Sequence, residues 1–185
     1  VGNLRAFLFE DVLHRTLELF GYKVHHVMNI TDVGHLVGDG DTGEDKVERE
    51  ASRTGQNAWE IAKRYEALFE FDMQRLNILA PTGKDRPHAT DYIPQQQALV
   101  KKLEEGGFTY ETSDGIYFDT SKFAGYGKLS GQKMEEKEAG ARVEINTEKK
   151  HPADFALWKF SPAGEKRQME WEFEGRQGFP GWHIE

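Results

Sequence analysis

Cysteine is absent from the sequence. Its absence excludes a disulfide framework, a thiolate metal site and a cysteine nucleophile among these residues. No apolar run reaches the roughly 18 residues that a membrane-spanning helix needs, and no basic stretch followed by an apolar segment and a small-residue cleavage site opens the chain. The expectation is a soluble protein of the cytoplasm. Positive charge is also scarce: 24 Lys and Arg against 32 Asp and Glu give a formal net charge of -8. That balance argues against binding nucleic acid through a bulk positive field and leaves a local basic patch as the electrostatic route to such a partner.

What is present suits one hydrophobic core with a small second module. The 185 residues are 37% hydrophobic, too few for two large independent domains. From Leu4 to Phe20, the residues Leu4, Leu8, Val12, Leu13, Leu17 and Phe20 recur at helical spacing, and Gly21 stands where a helix end favours positive φ. Lys23 to Ile30, with Val24, Val27, Met28 and Ile30, is short and apolar and reads as a mostly buried strand. The Gly- and Asp-rich stretch from Thr31 to Gly43 then reads as a loop at a strand end, where open α/β sheets bind ligands.

A second helix is expected from Ala58 to Leu79. Asn57 and Glu60 supply a capping pattern, Ile61, Tyr65, Leu68, Phe69, Met73 and Leu76 form the apolar stripe, and Pro81 and Gly83 stop it. A third starts near Thr90, carries Pro94 in its first turn, continues through Leu99, Val100 and Leu103, and ends at Gly106-Gly107. Beyond it the pattern becomes β-like. Phe108, Tyr110 and Thr112 alternate with polar residues, Asp114-Gly115 signals a hairpin turn, and Ile116 to Asp119 returns. After the charged run Lys133 to Glu138, strands are expected at Arg142 to Ile145 and Phe155 to Phe160. The stretch Glu165 to Trp171 leads on through Gly-rich sequence to Phe179. Neither an internal repeat nor a low-complexity linker interrupts the chain.

Several chemistries can be weighed residue by residue. Asp39, Asp41 and Glu50 match positions one, three and twelve of a calcium loop, but the sixth position, which needs Gly, is Glu44, so a solvated acidic loop leading into a helix is the better reading. None of the seven histidines stands in a His-Glu-x-x-His spacing. His25-His26 reads as strand with one exposed and one half-buried imidazole, and His14, between Asp11 and Glu18, as a surface residue. Ser130 lacks a Gly-x-Ser-x-Gly setting, and no phosphate-binding Gly-rich loop follows a strand. Trp182 reads as core or as the aromatic wall of a ligand pocket.

A family resemblance does what periodicity cannot. Val1-Gly2-Asn3, Gly21-Tyr22-Lys23-Val24 and Met28-Asn29-Ile30-Thr31-Asp32-Val33 resemble, in order and spacing, the opening of the cysteinyl-tRNA synthetase family. Ser113 to Asp119, Asp154 to Lys159 and Gly181-Trp182-His183-Ile184-Glu185 extend the resemblance over essentially the whole chain. It implies an α/β fold: a partial Rossmann-like class I synthetase catalytic domain with a β-rich connective-peptide insertion. Residues 1–107 would be the first half of that domain, 108–178 the insertion, and 179–185 the start of the return.

The implied chemistry is ATP-dependent activation of cysteine followed by transfer to tRNA(Cys), with Mg accompanying ATP and catalysis resting on positioning and charge stabilisation. Gly2 and Asn3 resemble the last two residues of the family's His-x-Gly-His or His-x-Gly-Asn signature, at a helix N-terminus suited to phosphate. Thr31 matches the threonine lining the amino-acid pocket, Trp182 the tryptophan facing it, and Asn29 a neighbour on the same strand end. The family's zinc, which reads the substrate thiol, takes ligands that match no residue here, and the mobile Lys-Met-Ser-Lys-Ser loop has no counterpart.

The chain opens within a helical pattern and closes directly after the Trp-His-Ile run, so it is expected to be an internal piece that is inactive alone and holds no metal. The loop after Thr31 departs from the commoner Asp-Asp-Lys form, reading Gly34-His35-Leu36 with Glu44-Asp45-Lys46 later. Two other functions share these features: a cysteine ligase with an amino-sugar acceptor, and a non-catalytic calcium-binding module on the acidic loop.

Overall fold

The computed structural model describes residues 2–36, 45–129, 147–162, 164 and 166–184. Helix α1 spans Gly2–Leu19, and the chain leaves it through Gly21 at φ 84°. Phe7 and Leu4 face inward onto Met28, Met73 and Ile78. Phe9, Val12 and Phe20 stay exposed, so the apolar residues of α1 are wider than the core it covers.

Residues Lys23 to Ile30 are extended but form no strand. Their backbone follows residues 85–89 in a parallel manner: Met28 N–H donates to Asp85 O, Ile30 N–H to Pro87 O, and Ala89 N–H to Ile30 O, at 2.8–3.0 Å. Only Ile30 and His88 make a formal bridge. The physical reason is a short partner. The segment this backbone follows lies between the 3₁₀ turns Gly83–Asp85 and Ala89–Tyr92, so it stays extended for too few residues to continue a ladder past that one bridge. His25 is exposed and His26 half-buried, as expected of the pair, although not within a strand.

Helix α2, Lys46–Thr54, is capped by Asp45, whose carboxylate accepts from the amides of Val47 (2.8 Å) and Glu48 (3.3 Å). Helix α3 runs Ala58–Arg75, with the Asn57 side chain accepting from Trp59 N–H at 2.8 Å. It ends short of the expected Leu79 because Asn77 turns left-handed (φ 55°), which carries the chain away before Pro81. Helix α4, Ile93–Glu105, follows a 3₁₀ turn at Ala89–Tyr92, with Pro94 in its first turn and Gly107 left-handed after it.

The rest is a five-stranded antiparallel sheet in the order β1-β2-β3-β5-β4, comprising β1 Thr109–Thr112, β2 Gly115–Phe118, β3 Phe155–Phe160, β4 Trp171–Phe173 and β5 Arg176–Pro180. Its buried face joins Ile116, Leu157, Trp158 and Phe173 to Ile93 and Val100 of α4. The β4–β5 hairpin lies in sequence read only as a Gly-rich approach to Phe179. Its turn, Glu174-Gly175, has both residues at positive φ (53° and 79°). Asp39, Asp41, Ser130, Lys133 to Glu138 and the expected strand Arg142 to Ile145 lie outside the described residues.

Candidate functional site

A cavity of about 900 Å³ opens between α1, the extended segment, α2 and α3. Asn29, Thr31 and Trp182, three residues singled out from sequence, all line it. Phe7 and Glu10 face it from α1, the helix whose first turn holds Gly2 and Asn3.

Each wall is held by identifiable bonds. Asp32 accepts from the backbone N–H (3.0 Å) and the hydroxyl (2.6 Å) of Thr90, which ties the segment after Ile30 to the turn before α4. His35 Nε2 lies 2.8 Å from Thr31 O, and since a carbonyl only accepts, Nε2 carries the proton. Asn29 Nδ2 is 3.5 Å from Thr31 Oγ1, at the limit of hydrogen bonding. Opposite them, Glu66 on α3 takes His88 Nε2 at 3.0 Å and Arg86 at 3.3 Å, while Arg86 also holds Glu70 at 2.7 Å. That cluster carries no sequence motif, since its members come from a helix face and a distant turn.

Trp182 reaches the cavity from the far end of the sheet. Gly181 N–H donates to Leu157 O at 2.9 Å, and a Cβ on Gly181 would lie 2.1 Å from Ala156 O, so only glycine permits this approach. Trp182 itself is 57% exposed and forms a wall, not core. The sheet is clipped to the helices by four further hydrogen bonds. Arg167 Nη2 is 2.5 Å from the buried Asp45 carboxylate, with its guanidinium 3.9 Å from the Phe179 ring centroid. Glu48 accepts from the amides of Gln168 (2.9 Å) and Met169 (3.0 Å), and Gln168 accepts from Ala58 N–H at 2.8 Å. The Asp45-x-x-Glu48 spacing, a helix-start pattern not singled out from sequence, is the signal that could have located this corner.

Two histidine and carboxylate readings change. His14 is not a surface residue: its side chain is 16% exposed, packs edge-on against His26 at 5.6 Å and lies 3.4 Å from Glu18. Asp11 is buried, accepting from Leu79 N–H and Arg15 at 2.8 Å each. Burial pushes its carboxyl up, but those two donors outweigh it and hold it below the ordinary aspartate value. Glu50, the last position of the considered calcium loop, is engaged by Arg53 at 2.9 Å. Among the described residues no three His, Cys, Asp or Glu side chains stand close enough to hold a metal ion. With no cysteine in the sequence and no such cluster among the described residues, the side chains do not fit the thiolate zinc centre of the family.

Comparison with known proteins connects the sequence to a family. The profile of the family described as tRNA synthetases class I (C) catalytic domain matches residues 1–185. The chain is 52% identical over its full length to cysteine–tRNA ligase 1 of Burkholderia lata, covering 39% of that protein. It is 49% identical to cysteine–tRNA ligase of Zymomonas mobilis, covering 35%, and 43% identical to that of Treponema denticola, covering 37%. The chain thus spans under two fifths of the length of these relatives. Neither the amino-sugar ligase nor the calcium module finds support among them. A match running from the first residue to the last, over a mixed α/β chain whose cavity gathers residues 29, 31 and 182, has one consequence: the chain belongs to the class I (C) tRNA synthetase catalytic domain family.

Proposed function

We propose that these residues are part of a cysteine–tRNA ligase that activates cysteine with ATP and Mg and transfers it to tRNA(Cys). The observation that carries the reading is 52% identity, over the whole of this chain and 39% of the relative, to such a ligase, combined with a cavity on which Asn29, Thr31 and Trp182 converge. In this reading the larger cavity holds the amino acid. The Trp182 indole walls the side chain, Thr31 offers a hydroxyl, and Asn29 lies beside it. Gly2 and Asn3, opening α1, present backbone donors at the positive end of the helix dipole toward the phosphates.

The cysteine carboxylate oxygen attacks the α-phosphorus, the bond to the bridging oxygen breaks, and pyrophosphate leaves. A terminal ribose hydroxyl of tRNA then attacks the acyl carbon and AMP departs. The chain's own contribution is positioning: Asp32 on Thr90, and His35 on the Thr31 carbonyl, hold the segment that presents Thr31. We assign no zinc ligand to this chain. The same reading places residues 1–107 in the first half of the catalytic domain, 108–178 in the insertion, and 179–185 in the return. No helix among the described residues is long and apolar enough to cross a membrane, and cytoplasm is the compartment proposed.

The test is exchange of pyrophosphate into ATP by the full-length protein carrying these residues, with cysteine as substrate and serine as control. Exchange with cysteine and not serine, followed by charging of tRNA(Cys), is the expected outcome. A folded, zinc-supplied protein that exchanges with neither amino acid would overturn the proposal.

A further inference from the structure

Beside the large cavity lies a second, of about 280 Å³, closed by the Ala89–Tyr92 turn and the first half of α4. Asn29 lines both, so one molecule can place a reacting group in the larger and a ring in the smaller. We infer that this smaller cavity seats the adenine of the 3′-terminal adenosine of the tRNA, with Tyr92 as the stacking surface and Gln96 as the reader of the exocyclic amine. The inference rests on the ligase reading and deepens it.

Three properties select the ligand. The volume is at the small end of ordinary pockets, roughly 300–1,000 Å³, and suits one flat ring system rather than a whole nucleotide. The walls are mainly apolar: Ala89, Leu99 and Ile184, with a Tyr92 ring that is 44% exposed and open to stacking. Gln96 is the decisive residue. Only 6% exposed, it uses Nε2 on the Ala89 carbonyl at 2.9 Å, and its buried Oε1 has no partner. An unpaired buried acceptor is costly, and a ligand that brings an N–H donor removes that cost. Adenine brings one on its 6-amino group, whereas a 6-keto purine would set oxygen against oxygen. ATP carries the same base. The tRNA is preferred because its acceptor ribose must meet the amino-acid carboxylate in the larger cavity, while the phosphates of ATP are assigned to the start of α1.

The experiment uses the full-length protein and two tRNA(Cys) molecules, one ending in adenosine and one in purine riboside, which lacks only the 6-amino group. Transfer from preformed cysteinyl adenylate is measured in a single turnover for each. Wild type should transfer to the adenosine end about tenfold faster. In Gln96→Met that ratio should fall to about one, whatever the overall rate, because both rates come from one preparation. Equal transfer to both ends by wild type, or a preference that survives Gln96→Met, overturns the assignment. A second arm substitutes purine riboside triphosphate for ATP in pyrophosphate exchange without tRNA. A Gln96-dependent loss there, with tRNA ends treated alike, gives the cavity to ATP and also overturns it. Absence of cysteine-dependent exchange in wild type strikes the ligase reading first, and the pocket assignment falls with it.

Discussion

Removing the Asp114 carboxylate should destabilise the protein more than removing the lysine it faces. Lys159 lies in β3 with its side chain only 8% exposed, its Nζ 2.5 Å from Asp114 Oδ2 and 3.2 Å from the Tyr117 hydroxyl. Breaking a buried pair from one side costs about 3–5 kcal/mol, and Lys159 would be left with the Tyr117 hydroxyl but no counter-charge. Asp114 is 36% exposed, so water can partly replace its carboxylate in Asp114→Ala, and we reduce the figure to about 2–3 kcal/mol. Lys159→Met keeps the apolar stem and leaves Asp114 within reach of water and of the Thr112 hydroxyl at 2.7 Å, so it should cost about 0–1 kcal/mol.

The assay is urea unfolding followed through the buried Trp158 next to Lys159. The double variant should be more stable than Asp114→Ala alone, since it removes the orphaned charge. Acid should imitate the truncation. Burial pushes the Asp114 carboxyl up, but the bond and charge of Lys159, with the Thr112 bond, outweigh it and hold the carboxyl below its usual value. A depressed folded value stabilises above the ordinary aspartate pKa of about 3.9, and the stabilisation is lost as pH falls through the folded value. Wild type should therefore lose stability below about pH 4 more steeply than Asp114→Ala. Lys159→Met costing as much as Asp114→Ala would refute the reasoning.

Gly181→Ala should cost about 3 kcal/mol, since its Cβ would meet Ala156 O at 2.1 Å and the Ala156 carbonyl carbon at 2.7 Å, backbone atoms that cannot step aside; thermal melting reads it. Thr31→Val should raise the KM for cysteine roughly tenfold with the KM for ATP unchanged in pyrophosphate exchange, and equal changes in both would remove Thr31 from the amino-acid pocket. Asp32→Asn should cost about 1–2 kcal/mol by weakening two bonds to Thr90, measured as a lower urea midpoint.

What could be read from the sequence follows how local each signal is. The β1–β2 hairpin was legible because Asp114-Gly115 between alternating residues is a common turn signal, although the turn falls one residue earlier, at Ser113-Asp114, and Gly115 opens β2 without positive φ. The β4–β5 hairpin was not, because Glu174 occupies a left-handed position where Asn or Asp is usual. Helix α4 announced itself through Pro94 and the Gly106-Gly107 stop. Helix α2 is nine residues long and buries only Val47 and Ala51, too few for a periodic signal amid its charges. The apolar run at Lys23 to Ile30 reads as a strand, yet Val27 is 52% exposed, because pairing depends on neighbours that no local window contains. Likewise, family motifs carried Asn29, Thr31 and Trp182. Glu66, His88 and Gln96 gain meaning only where distant elements meet.

Thr31 and Trp182 share a cavity because the sheet is anchored to the helices, and Arg167 is the anchor most exposed to test. It joins Asp45 across 122 positions, and its stacking on Phe179 fixes β5 just before Trp182. Arg167→Met keeps bulk against Phe179 but leaves Asp45, with a side chain 2% exposed, only its capping bonds to Val47 and Glu48. The expected cost is about 2–3 kcal/mol, with a rise in the KM for cysteine larger than any change in the KM for ATP, as the Trp182 wall loosens relative to Thr31. Arg167→Lys should fall between, since an ammonium restores the charge without the planar stack. Urea unfolding and pyrophosphate exchange on the same preparations separate the two effects. Wild-type stability together with a wild-type KM for cysteine in Arg167→Met would show that the Asp45 clip does not set the wall, leaving that role to the Glu48 and Gln168 contacts.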